Sequence, residues 1–182
     1  MGLSLSDTYS LSDYVPFRYL KGSDVIDSPN VGILLEDSFE SIWGSRKWLG
    51  LWMREKGKVK LGYDSGEVEN SRCLLVKSDS KEDWSCSHNK FIEVKKGDIF
   101  SYEVSIKIRG EKISGYASVD AFDEKKKVIK WHYISVEVNK TDSWVRVGKE
   151  FTISDDITYI RFGLGGTGIG EYRFDDVCFR KE

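Results

Sequence analysis

The sequence predicts an all-β protein, an antiparallel two-sheet jelly-roll β-sandwich, and three observations carry that prediction. Runs rich in Val, Ile, Tyr, Phe and Trp recur from residue 31 onward, divided by clusters of Gly, Asp, Lys and Asn at intervals of about a dozen residues. Residues 99–109 alternate: Phe100, Tyr102, Val104, Ile106 and Ile108 take one face, and Ser101, Glu103, Ser105, Lys107 and Arg109 the other. Such one-sided alternation marks an antiparallel sheet with one buried face. Finally, no segment sustains a helical period of apolar residues. Strands are expected at 31–40, 48–54, 58–63, 71–78, 89–95, 99–109, 115–123, 127–138, 143–153, 157–165 and 171–180. Many short strands without a helix stack as two sheets around one core.

The chain of 182 residues is long enough for a single domain with a proper core. Residues 1–30 lack a strand pattern, hold both prolines (Pro16 and Pro29), and read as a leader or linker packed on a domain at 31–182. The aromatic stretch Tyr14-Val15-Pro16-Phe17-Arg18-Tyr19-Leu20 fits either an arm packed on the domain or a junction with a neighbouring one. Net charge is −2 with both signs interspersed, so there is no basic footprint for nucleic acid. No apolar run is long enough for a membrane span. The start, Met1-Gly2-Leu3-Ser4-Leu5-Ser6-Asp7, lacks the basic and apolar regions of a signal peptide, and its Gly2 and Ser6 match a myristoylation pattern only by chance. Three cysteines cannot all pair within one chain. Cys73 and Cys178 fall inside strands as reduced core thiols, and Cys86 lies in a polar run where exposure is expected.

Several strands place chemistry on their outward side. Residues 115–123 set Ala117, Val119 and Ala121 against Tyr116, Ser118, Asp120 and Phe122. Residues 157–164 set Ile160, Phe162 and Leu164 against Tyr159, Arg161 and Gly163. Residues 127–138 place Trp131 and Tyr133 on one face and His132 on the other. Rings that stack on apolar sugar faces, beside an Asp and an Arg that bond hydroxyls, are what a sugar-binding surface needs. Trp and Tyr also favour strands for packing reasons alone, which is the plainer reading of the same residues. Trp84 sits in a polar run, Ser78 to Asp83 before it and Ser85-Cys86-Ser87 after it. It is either a plug folded over the sandwich edge or a ring left free to stack on a ligand.

Acidic residues gather at both ends of the domain. Leu34-Leu35-Glu36-Asp37-Ser38-Phe39-Glu40 runs from apolar residues into carboxylates, and Asp175-Asp176 interrupts the closing strand Glu171-Tyr172-Arg173-Phe174-Asp175-Asp176-Val177-Cys178-Phe179. First and last strands that end this way are expected to meet, with a cation or hydrogen-bond donors between them. Asp175 shares the parity of Val177 and is expected to face inward, where an unpaired carboxylate is costly. A β-bulge whose amides bond the Asp pair is the alternative to a metal.

The order of these pieces resembles the jelly-roll, galactose-binding-like carbohydrate-binding modules that accompany xylanases and cellulases. Asp37-Ser38-Phe39-Glu40 with Trp43-Gly44 is similar to the family's opening motif, although Asn usually stands where Asp37 does. Ser71-Arg72-Cys73-Leu74-Leu75-Val76 resembles a second strand motif. Trp84 followed by Phe91-Ile92-Glu93-Val94-Lys95-Lys96-Gly97-Asp98-Ile99-Phe100-Ser101-Tyr102 resembles a loop Trp, an apolar strand, a glycine turn and an aromatic strand. Residues 144–153 and the closing 172–179 complete the order, so the likeness spans about residues 31–180.

The resemblance implies a structural Ca²⁺ between the first and last strands, with Glu40 and Asp175 at the matching positions and Glu36, Asp37 and Asp176 nearby. Hard carboxylate and carbonyl oxygens suit that ion. It also implies that Trp84 stacks on sugar; Tyr116, Asp120, Trp131, Tyr133 and Arg161, read from strand alternation, complete a shallow groove if their faces coincide. The sugar-contacting glutamate of xylan-binding relatives has no match in Arg161-Phe162-Gly163-Leu164, so their specificity does not transfer.

An enzyme is not indicated. His88 and His132 fit no metal spacing, and the glycine run Gly165-Gly166-Thr167-Gly168-Ile169-Gly170 lacks the Lys-Ser/Thr of a P-loop and reads as a flexible hairpin turn. Cys86 and His88 lie two apart in one polar run, a spacing that would bring a thiol and an imidazole together, with no orienting third group. Adjacent residues of one strand face opposite sides, so Asp175 and Asp176 cannot flank one glycosidic bond. The sequence therefore reads as a non-catalytic glycan- or polysaccharide-binding module, an extracellular or cell-surface part of a larger protein. The other reading is a structural or protein-contacting jelly roll without a sugar site.

Overall fold

The computed structural model describes residues 32–40, 47–48, 51–66, 71–154 and 156–182. The leader at 1–30 lies outside the described residues. Among them the regular elements are ten strands: β1 (Gly32–Asp37), β2 (Trp52–Met53), β3 (Val59–Ser65), β4 (Arg72–Ser78), β5 (Asp83–Ser87), β6 (Ile92–Glu93), β7 (Ile99–Phe122), β8 (Val128–Asn139), β9 (Val145–Thr152) and β10 (Tyr159–Lys181). All pairings are antiparallel. Among the described residues, no helix is long and apolar enough to cross a membrane.

Two strands longer than the sequence predicts organise the sandwich. β7 and β10 pair along nearly their whole length, from Tyr159↔Phe122 to Lys181↔Phe100. The first half of β7 carries β9 on its other edge and the second half carries β8. The first half of β10 carries β5 and β6, and the second half carries β4 and β1. One layer is thus β9–β7–β10 with β4, β3 and β1. The other is β8–β7–β10 with β5, β2 and β6.

The ribbon bends where its register breaks, between Thr167 and Ile169. Gly168 there has φ +105, and a Cβ on it would come within 2.7 Å of the Lys112 carbonyl oxygen. Lys112 itself is left-handed, with φ 48. The glycine run expected as a flexible hairpin turn is instead this corner, because only a residue without Cβ fits so close to the opposing strand.

The bend brings the two halves of each long strand face to face. The Tyr102 hydroxyl donates to Ala117 O at 3.3 Å, from one half of β7 to the other. Across the same gap Tyr102 packs on Phe162 at 5.4 Å, and Phe162 on Phe179 at 5.9 Å. The apolar faces read from alternation are buried as expected: Phe100, Tyr102, Val104, Ile106 and Ile108; Ala117, Val119 and Ala121; Ile160, Phe162 and Leu164.

β5 departs from expectation. Asp83 to Ser87 alternate, with Trp84 and Cys86 turned into the core, and pair with Thr167 to Gly163 of β10. All three cysteines are buried and free. Cys86, expected exposed, donates its Sγ hydrogen to Trp48 O at 3.2 Å, and burial pushes its thiol up to about 12. His88 is also buried; its Nδ1 accepts from Lys90 N at 3.1 Å, and burial brings its pKa down to about 3. A thiol so hard to ionise is not an activated nucleophile.

Candidate functional site

The outer face of the β2–β5–β10–β7–β8 layer carries the polar and aromatic side chains that strand alternation turns away from the core. Its cross-strand register builds rows. Trp52 pairs with Ser85, Ser85 with Gly165, Gly165 with Tyr116, and Tyr116 with Glu137. Two residues along, Ser87, Gly163, Ser118 and Ser135 form the next row. Arg161 and Asp120 form the third, and Tyr159 and Phe122 the fourth. Glycines and serines make the floor of the first two rows, and Trp52 stands at one rim.

Tyr116 lies across that floor. A Cβ on Gly165 would strike its ring, coming within 2.6 Å of one Cε. The Tyr116 hydroxyl donates to Trp84 O at 3.3 Å, and its ring lies 4.6 Å from the imidazole of His132. Burial, with Asp120 and Asp83 adding to it, raises the Tyr116 pKa well above the usual phenol range. Trp52, on the far rim, is 50% exposed, with the Arg54 guanidinium 5.9 Å from its ring. Arg54 is held there by Asp83, at 2.7 Å.

β8 bulges opposite Asp120. Val119 pairs with Ile134 and Ala121 with Lys130, so three residues of β8 face one of β7. His132 takes φ 50, and its amide donates to Asp120 Oδ1 at 2.9 Å. Asp120 is buried and caps the bulge, so one of its oxygens is committed to backbone. The bulge sends Trp131 outward, 60% exposed, and turns Tyr133 toward the core. Strand parity alone places these two rings together; the inserted residues separate them.

Burial raises the Asp120 pKa against the opposing pull of His132 and Arg161. A raised carboxyl contributes most below its unfolded pKa, and that contribution declines as pH rises from there to the folded value. Asn at this position keeps an oxygen acceptor for the His132 amide. Asp120→Asn is therefore expected to flatten this decline and hold stability at neutral pH, whereas Asp120→Ala costs about 1–3 kcal/mol by orphaning the amide. Urea unfolding across a pH series reads both.

Of the six residues expected to touch ligand, Tyr116, Asp120, Trp131 and Arg161 share this face. Trp84 does not. Its ring is fully buried between the layers, against Tyr172 at 4.8 Å and Phe174 at 6.3 Å. The polar residues beside it point away from it along β5, which is why a polar run can carry a core Trp. Tyr133 is likewise withdrawn: its hydroxyl shares a hydrogen bond with Ser154 Oγ and accepts from Ser154 N, both at 3.1 Å. Trp52 was missed by sequence reasoning. A Trp with no alternating apolar partner two residues on, flanked by Arg54, was the available signal.

The acidic ends of the domain do meet, since β1 pairs with the end of β10. A bulge separates Asp175 from Cys178, with Asp176 at φ 46 and its amide donating to Asp175 Oδ1 at 2.8 Å. Asp175 pairs with Ser105, one step from Phe174, whose partners Ile106 and Leu74 are core residues. It is buried, but on the opposite side of the strand from Phe174, so the inward parity expected from Val177 is broken by the bulge.

The carboxylates divide by what they reach. A Cβ on Gly66 would come within 2.6 Å of Asp175 Oδ2 and 2.9 Å of Arg72 O. Glu40 Oε1 accepts from Arg72 N at 2.9 Å, so residues from both ends of the domain reach the place where Gly66 meets Ser71 and Arg72. Asp37 is engaged elsewhere: Oδ1 accepts from Phe39 N and Oδ2 from Trp48 Nε1, both at 2.9 Å. Burial raises its pKa. Glu36 is exposed and pairs with Cys178, and Asp176 faces Arg146 at 3.9 Å. Among the described residues no three Asp, Glu, His or Cys side chains converge as a metal-binding group.

No protein-family profile and no curated protein matches the chain. Solved structures do. The xylan-binding CBM22-1 domain of Paenibacillus barcinonensis Xyn10C aligns with TM-score 0.53 and 18% identity, over 82% of this chain and 94% of that one. The CBM22-1–GH10 portion of Clostridium thermocellum xylanase 10B, complexed with xylohexaose, aligns with TM-score 0.55 and 17% identity over 81% of this chain. The enzymatically active domain of bacteriophage CBA120 tailspike protein 4 aligns with TM-score 0.56 and 12% identity over 78% of this chain. The chain spans only 28% of the xylanase portion and 20% of the tailspike domain. At such identities the likeness is one of architecture, and this chain has the jelly-roll sandwich fold of the carbohydrate-binding modules.

Proposed function

We propose that this chain is a non-catalytic module that binds a poly- or oligosaccharide across the β2–β5–β10–β7–β8 face, as an extracellular or cell-surface part of a larger protein. The observation that carries it is the row from exposed Trp52 over Ser85 and Gly165 to Tyr116. It sets the exposed Trp52 ring beside the Tyr116 ring, which lies over Gly165, on a face otherwise kept low by serine and glycine. Rings of this kind stack on sugar faces, and Asp, Arg, Ser and Glu side chains around them bond hydroxyls. The fold shared with modules that hold xylan or xylohexaose supports the reading.

Burial of Trp84 and Tyr133 takes two rings from the expected platform and favours the second reading, a protein-contacting jelly roll without a sugar site. A glycan array followed by calorimetry separates them. Saturable binding of at least one soluble polysaccharide is expected. Absence of binding to every neutral and acidic glycan on the array leaves only the second reading.

Calcium belongs to the same proposal. Glu40, Asp175 and the Arg72 carbonyl supply hard oxygens around Gly66 and Arg72, which suits Ca²⁺ and no softer metal. Asp37 does not belong to that set, because both its oxygens already accept hydrogen bonds. The ion when bound would tie the first strand to the last. A site occupied only in the native state stabilises by about 2.7 kcal/mol at a hundredfold excess over its dissociation constant. Metal-stripped protein is therefore expected to melt at a higher temperature once calcium is added. An unchanged midpoint at millimolar calcium would sink the site.

A further inference from the structure

We propose that the glycan received on this face carries a carboxylate, a uronic-acid unit seated at the Arg161–Lys126 end of the trough. This rests on the reading of the face as a sugar site and names the chemistry at one end of it. The Arg161 guanidinium lies between two rings, 5.2 Å from Phe91 and 5.1 Å from Phe122. Those rings meet edge to face at 4.9 Å. Lys126 Nζ lies 5.0 Å from the same Phe91 ring and 5.5 Å from Tyr159. Two cations therefore share one aromatic ring at one end of the face.

Both are held in place. Arg161 sits in β10 opposite Asp120. Lys126 sits at φ 58 in a turn where Asp123 Oδ1 accepts from Lys125 N at 2.9 Å and Lys127 N at 2.8 Å. Among the described residues neither cation makes an ion pair, whereas Arg54, Arg146, Arg173 and Arg180 each do. Arg161 Nε is buried with no hydrogen-bond partner among the described residues. The carboxylate next to it in register, Asp120, has Oδ1 on the His132 amide, and Asp123 has Oδ1 on the turn.

A cation partly desolvated by rings, with a second cation on the same Phe91 ring and only the half-committed Asp120 to offset it among the described residues, is an arrangement completed by an anion. A guanidinium offers a carboxylate two parallel N–H groups, and an ammonium adds a point charge. Neutral hydroxyls make no such demand. Four residue steps along β10 separate Arg161 from Gly165, about 13 Å of strand, so this end is distinct from the Trp52–Tyr116 end.

The test compares polygalacturonate and glucuronoxylan, each native and after chemical reduction of its carboxylates to alcohols, by calorimetry at low and moderate salt. The native form of at least one polymer is expected to bind about tenfold tighter than its reduced form. Lys126→Gln, at an exposed turn, and Arg161→Gln are each expected to lower native binding toward the reduced level and leave reduced-polymer binding intact. Because Arg161 is half-buried, Lys126→Gln alone suffices if the arginine variant does not fold. Equal affinity of native and reduced polymers overturns the proposal while leaving the face a glycan site. A carboxylate preference that survives Lys126→Gln, and Arg161→Gln where that variant folds, also overturns it. Failure to bind these polymers when neutral glycans bind does the same. Failure to bind any glycan overturns the underlying reading as well.

Discussion

Replacing Trp84 by alanine is expected to lower unfolding free energy by about 3–5 kcal/mol, the range for truncating a large buried aromatic. The ring is fully buried, lies between the two layers, and meets Tyr172 and Phe174 edge to face. Its strand neighbour Gly166 offers no side chain to collapse into the space left behind. A cavity at that place also loosens the corner, since Tyr172 bonds Gly168 O at 3.0 Å through its hydroxyl. Chemical denaturation of the variant reads the loss. A change below about 0.5 kcal/mol is what a surface substitution gives and would return Trp84 to the surface as a stacking candidate.

Trp52→Ala is expected to do the reverse. Stability should change by about 0.5 kcal/mol or less, because the ring is half exposed on a two-residue edge strand. Glycan affinity should fall by about 2 kcal/mol or more, the scale of an aromatic anchor in a binding face, which is roughly 30-fold. Titration of the variant with whichever polysaccharide the array identifies gives the answer. Unchanged affinity would move the binding site off the trough. Trp84 thus gives up the stacking role expected of it, and Trp52 takes it.

The all-β class and the core faces of the regular strands were legible in the sequence. Alternation in 99–109, 115–123 and 157–164 names the core-facing residues correctly because a strand has a side-chain period of two wherever it is regular, although Ser105, Ser118, Asp120 and Phe122 on the other side are buried as well. That rule also carried Tyr116, Asp120 and Arg161 to one face, since they lie on strands that pair in register. The meeting of first and last strands was legible for the same reason: carboxylates at both ends mark a place where the hydrophobic pattern stops.

What only tertiary structure decided lies where the period is broken or the neighbours are distant. The bulge at His132 inserts residues into β8, so Trp131 and Tyr133 part, and no local pattern records an insertion that exists only relative to β7. The bulge at Asp176 does the same to Asp175 and Val177. The glycine run is a corner rather than a hairpin because β7 continues beside it, and Gly168 is needed both for its φ of +105 and for its closeness to Lys112. Trp84 is core because Tyr172 and Phe174, some ninety residues away in the chain, close over it from the opposite layer. Alternation says which side of a strand a residue faces. Whether that side meets solvent, a partner sheet or another ring depends on contacts between segments far apart in sequence, and the chain forms those only when it folds.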